Sequence, residues 1–193
     1  MYSCPLKFKT GPFPANAALT ILDAKKNVIL FRSKITEAME NGKAPCVIFT
    51  DKTVSNPLYT TLHQEKGEVE SFLIKTSSGT PLGKMVAESE QAWKVMDEHD
   101  NLLANIQEKS HWKNSCLFEI ITFPFDPNDR DTFLKIISPH RYIVTLNGKK
   151  VLQLREDVSA IRDNYSLKKI GELSEHEEVL LVVSLMIALS TKV

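Results

Sequence analysis

The sequence predicts a mainly β fold, an antiparallel meander or closed barrel built around one C-terminal hydrophobic helix. Three observations predict it. From Val179 the chain reads Val-Leu-Leu-Val-Val-Ser-Leu-Met-Ile-Ala-Leu, with Ser184 the only polar residue. A helix that is apolar on every side must be buried on every side. Upstream, short apolar stretches are parted by turn residues at regular spacing, the pattern of a sandwich or barrel. In one of them, residues 102–109, Leu102, Ala104 and Ile106 alternate with Leu103, Asn105 and Gln107. That period of two marks a half-buried strand. A closed barrel leaves no sheet edge and encloses an interior, which the helix would fill.

The helix is expected over residues 174–190. Ser174 with Glu177 forms a capping-box pattern, and Glu175, Glu177 and Glu178 sit at the positive end of the helix dipole. Spanning a bilayer takes about 20 apolar residues. This run is shorter, so a protein interior is the favoured surrounding and a tail anchor the alternative.

In chain order, residues 1–17 hold Pro5, Pro12 and Pro14 and read as an arm. Residues 19–22 and 28–35 form a hairpin about an Asp23–Asn27 turn, and 34–41 a short helix ended by Gly42. Strands follow at 47–50 and 58–64. Hairpins follow at 69–76 with 82–88 and at 93–96 with 102–109, then a strand at 117–123. Residues 125–141 are irregular. The pair 142–146 and 151–155 is joined by Asn147-Gly148, which suits a turn needing positive backbone angles. Residues 162–170 form the last strand. Leu22-Asp23 with Asn27 repeats as Met96-Asp97 with Asn101, and Asp and Asn favour turns. About Asn147-Gly148, a plain two-residue turn sets Val151 on the face of Val144 and Leu152 on that of Ile143, so both faces come out mixed.

The 193 residues allow one large domain or two small ones, and the chain is read as a single domain. With 42% hydrophobic and 25% charged residues it has an ordinary soluble composition. Zero formal net charge argues against nucleic acid as a partner but leaves room for a local patch. The N-terminal residues lack an apolar signal core. Cys4, Cys46 and Cys116 read as reduced thiols, so a cytoplasmic location is expected.

The last fifty residues carry a family resemblance. They hold Leu146-Asn147-Gly148-Lys-Lys-Val151, then Asp163-Asn164-Tyr165-Ser166-Leu167, then Glu177-Glu178 before the apolar helix. This resembles the LURP-one-related family, with the tubby C-terminal domains and the phospholipid scramblases more distant. The resemblance implies a barrel of about twelve strands around a central helix and a non-enzymatic domain. Tubby proteins bind phosphoinositides, and scramblases are membrane-associated and calcium-responsive. The helix here is richer in Val than that family usually shows.

Catalytic signals are missing: no Gly-x-Ser-x-Gly, phosphate-binding Gly-rich loop, His-Glu-x-x-His or paired-cysteine box occurs. His63, His99, His111, His140 and His176 read as surface or turn residues, and Cys46 and Cys116 as inert thiols. Asp126 to Asp131 fails as an EF-hand, with Arg130 at position five and Ile137 at twelve. Glu156, Asp157 and Asp163 are too sparse for a scramblase-like calcium site. No cofactor or metal is expected. The remaining signal is basic: Lys149, Lys150, Arg155, Lys168 and Lys169 could hold an anionic lipid headgroup by charge-assisted contacts. The expectation is a monomeric binding module for phosphoinositide or another anionic lipid, or a protein-interaction scaffold, with peripheral membrane contact. A tail-anchored or scramblase-like protein is one alternative, a barrel-cavity enzyme or carrier the other.

Overall fold

The computed structural model describes residues 4–10, 19–25, 28–34, 46–49, 57–66, 69–109, 140–157 and 164–190. The strands are β1 (Leu6–Thr10), β2 (Leu19–Leu22), β3 (Val28–Lys34), β4 (Cys46–Phe49), β5 (Pro57–Lys66) and β6 (Val69–Thr76). They continue as β7 (Pro81–Ser89), β8 (Ala92–Asp97), β9 (Leu102–Lys109), β10 (Arg141–Leu146), β11 (Lys149–Asp157) and β12 (Asn164–Lys169), and the helix α1 (Glu175–Ser190) follows. The mainly β, antiparallel expectation holds. Of the helix expected at 34–41, Lys34 ends β3 and the rest lies outside the described residues, as do the strand expected at 117–123 and nearly all of the irregular stretch 125–141.

Ladders join each strand from β2 to β12 to the next in sequence, all antiparallel. β1 pairs with β2 on one side and β12 on the other, so the described strands form a closed barrel. This corrects the reading of residues 1–17 as an arm over Leu6–Thr10, while 11–17 lie outside the described residues. Leu6-Lys7-Phe8-Lys9 alternates with the period of a strand, and Leu6 and Phe8 are fully buried. Pro5 only precedes the strand and does not interrupt that alternation.

Five hairpins share one irregularity. In β2–β3, β4–β5, β6–β7, β8–β9 and β10–β11 the register slips by one residue just before the turn. The residue skipped on the second strand is Ile29, Leu58, Leu82, Leu103 or Val151. All five are apolar. Leu58, Leu82 and Leu103 pack against the core and Val151 is buried within it. A bulge bends its strand and raises the local twist, which suits a barrel rim. The strands alternate in direction, so the five turns lie at one rim. The slip resolves the mixed faces of the Asn147-Gly148 hairpin. Val144 and Leu152 lie opposite each other and both are buried, whereas Ile143 pairs with Gln153. It also corrects Leu102, which shares a period with Ala104 only if no bulge intervenes. Leu102 is instead 51% exposed.

The aspartates of the repeated turns accept alike from the amide two residues on. The Lys25 amide donates to Asp23 Oδ1 at 2.9 Å, and the His99 amide donates to Asp97 Oδ1 at 2.9 Å. The Asn101 amide reaches the same oxygen at 2.8 Å. These bonds, with the Asn101 side-chain amide, hold the Asp97 carboxyl below its ordinary value. Asn147 and Gly148 have φ of 50° and 76°, as their turn requires.

Helix α1 is capped as its sequence predicts. The Ser174 amide donates to Glu177 Oε2 at 2.7 Å, and the Glu177 amide donates back to Ser174 Oγ at 3.3 Å. From Leu180 to Leu189 every residue is buried. Ser184 is satisfied within the helix, its hydroxyl donating to the Leu180 carbonyl at 2.8 Å. The apolar face of α1 and the inward side chains of β1, β2 and β6–β12 form one core cluster. The wall comes close to α1 at Gly83, where a Cβ would stand 2.3 Å from the Met96 carbonyl and 2.9 Å from Leu180 Cδ2. Among the described residues, no helix is long and apolar enough to cross a membrane.

Candidate functional site

Alternation decides which side chains leave the barrel. On β9, Ala104, Ile106 and Glu108 are buried, so Gln107 and Lys109 face out. On β10, buried Tyr142 and Val144 put Arg141 and Ile143 outside. On β11, buried Leu152, Leu154 and Glu156 put Gln153, Arg155 and Asp157 outside. On β12, Leu167 faces in and Ser166 and Lys168 face out. On β1, Leu6 and Phe8 leave Lys7 and Lys9 outside.

The register then aligns these residues across five strands. Lys109 lies opposite Arg141, Arg141 opposite Arg155, Arg155 opposite Ser166, and Ser166 opposite Lys7. Lys168 and Lys9 flank the row on β12 and β1. Like charges directly opposite one another destabilise a sheet. Two lysines elsewhere are paired: Lys84 with Asp100 at 2.7 Å, and Lys94 with Glu88 at 2.5 Å. In the row, Lys7, Lys109, Arg141 and Arg155 make no side-chain ion pair among the described residues. The described acid beside the row is Asp157, which accepts the Ser166 hydroxyl at 2.8 Å on each oxygen. Such an arrangement can bind an anion without chemistry of its own, since every contact is a fixed donor or a positive charge.

A polar cluster lies behind this wall. Glu108 and Glu156 are each 4% exposed. His140 Nδ1 sits 2.6 Å from Glu108 Oε1, and the His140 amide donates to Glu156 Oε2 at 3.0 Å. His140 is therefore half-buried and hydrogen-bonded. Burial foremost, then Tyr165 and Glu156, push the Tyr142 phenol up. Tyr142 meets Tyr165 edge-on, with ring centroids 6.4 Å apart. Glu156 and Asp157 point to opposite faces, and Asp163 of the same expected acidic segment lies outside the described residues.

The structure splits the basic cluster read from the sequence. Arg155 and Lys168 belong to the outer band. Lys169 turns inward and binds Glu178 Oε2 at 2.5 Å, with the Glu178 side chain only 6% exposed. Lys149 and Lys150 stand at the bulged rim, about 10 Å along β11 from the position opposite Lys168. The helix begins at that rim, which therefore also carries Glu172, Glu175 and Glu177. Lys7, Lys109 and Arg141 were missed. Their signal was present: Lys109 shares the polar face of Asn105 and Gln107, and Lys7 alternates with Leu6 and Phe8. What joins them is the pairing of strands far apart in sequence. Of the cysteines, Cys4 has its thiol pushed up by burial foremost and then by Glu178, so it is not an activated nucleophile.

No protein-family model matches the chain, and no curated protein matches it either.

Proposed function

We propose that this chain is a non-enzymatic binding module with a tubby-like barrel around a central helix, similar to the LURP-one-related family. Its outer β9–β12 and β1 face docks on anionic lipid headgroups. One observation carries the reading: cations lie side by side across adjacent strands, and Lys7, Lys109, Arg141 and Arg155 make no side-chain ion pair among the described residues. A bound anion removes the repulsion that the free face carries. The docking is peripheral, because the exposed large apolar residues Leu62, Val69, Leu102 and Ile170 lie off the row.

Liposome co-sedimentation tests it. The protein should pellet with phosphatidylserine or phosphoinositide vesicles and be released as salt rises, because the contacts are screened. Each juxtamembrane cation contributes about 1 kcal/mol. Arg141→Gln with Arg155→Gln should therefore weaken partition about 30-fold. Lys149→Gln with Lys150→Gln should weaken it far less. Equal pelleting with neutral vesicles, or none at all, removes the idea. Tighter capture by an acidic protein than by vesicles would transfer the face to the protein-scaffold reading.

A further inference from the structure

Resting on the docking reading above, we infer that the barrel lies on its side against the bilayer, its wall at β11 nearest the lipid and its bulged rim turned away. Twelve strands about 4.8 Å apart and tilted by about 40° make a cylinder roughly 12 Å in radius at the backbone. The row from Lys109 to Lys7 covers five neighbouring strands, centred on β11. It therefore wraps about a third of the girth. Arg155 stands at the crest of this arc, with Arg141 one strand to one side and Lys168 one strand to the other. Lys109 and Lys7, two strands away, fall back by about 9 Å once side-chain length is included, which is still about one Debye length at physiological salt. A flat anionic surface thus touches the central cations and attracts the outer two at a distance.

The bulged rim and the far wall argue against two other orientations. At the bulged rim, Lys149 and Lys150 share the surface with Glu172, Glu175 and Glu177. A rim-down pose would press those carboxylates onto anionic lipid. Opposite the crest, six strands around the ring, is β5, whose outward Leu62 pairs with Leu73. On the walls near it, Lys84 and Lys94 are already neutralised. Ser166 adds a hydroxyl next to Arg155 in the row, held by Asp157. That acid lies beside the contact and should oppose it.

Single-site fluorescence tests the orientation. An environment-sensitive fluorophore is placed on Gln153→Cys at the crest, Lys149→Cys at the bulged rim, Glu90→Cys at the other rim, or Leu62→Cys on the far wall. The three native cysteines are first replaced by serine. With phosphatidylserine–phosphatidylcholine vesicles, the emission should shift to the blue at position 153 and stay that of water at 149, 90 and 62. Asp157→Asn should strengthen partition about five-fold, by removing one charge beside the contact. A larger shift at 149, 90 or 62 than at 153 overturns the side-on pose while the docking reading survives. Pelleting is measured on the same samples. Its absence for the unlabelled protein defeats the docking reading, and the pose with it.

Discussion

Removing the helix is the sharpest test of the fold. Leu180, Leu181, Val182, Val183, Leu185, Met186, Ile187 and Leu189 are each no more than 6% exposed. Burying a side chain of this kind contributes about 1.5–3 kcal/mol, so the eight together contribute about 12–24 kcal/mol as an upper bound. Whole-domain stability is about 5–15 kcal/mol. A chain ending before Glu175 should therefore not fold, although chain ends usually tolerate truncation. Graded substitutions separate core packing from mere helix content. Leu185→Ala should cost about 2–5 kcal/mol, lowering Tm by about 5–20 °C in a domain of this size. Leu185→Asp buries a charge and should give insoluble protein. Ser184→Ala is the control. The hydroxyl bonds only a carbonyl of its own helix, so its loss should cost within about 1 kcal/mol. Urea unfolding followed by far-UV circular dichroism measures the two alanine variants, and the soluble fraction on expression reports the truncation and Leu185→Asp. A truncated protein that unfolds cooperatively at the natural Tm would show that the helix is an appendage.

Two further predictions concern charges fixed by the fold. Lys169→Met leaves Glu178 buried without its cation and should cost about 3–5 kcal/mol, while Lys169→Met with Glu178→Leu should recover most of it. A double-mutant cycle in urea decides, and additive losses would refute the coupling. Asp97 titrates below its ordinary value of 3.8, chiefly through the Asn101 amide. A depressed folded value means stability that is present above 3.8 and lost as pH falls through the folded value. The Tm gap between the natural chain and Asp97→Ala should therefore narrow between about pH 5 and about pH 2. A gap that does not change with pH would show that the carboxylate charge contributes nothing.

Local chemistry alone determined much of this protein. An all-apolar run has one stable surrounding in water, so α1 was legible from Val179 onward, and Ser174 and Glu177 marked its start. Period two identified most strands, and Asn147-Gly148 and Asp97–Asn101 located turns, because φ preference and side-chain capping are local. Other features were decided only by tertiary structure. A bulge leaves no mark in composition: Val151, Leu103 and Leu82 read as ordinary alternating residues until their partners slip by one. Strand β1 needed β2 and β12 beside it before Leu6 and Phe8 had anything to bury against. The candidate site is the clearest case. Lys7 and Arg155 are 148 residues apart in the chain, yet only Ser166 separates them in the row. Sequence neighbours such as Lys168 and Lys169 part company instead, one to the outer wall and one to buried Glu178. Strand pairing acts between distant segments, and adjacent residues in a strand point to opposite faces. That is why a cluster read along the chain names the right kind of side chain and only some of the right residues.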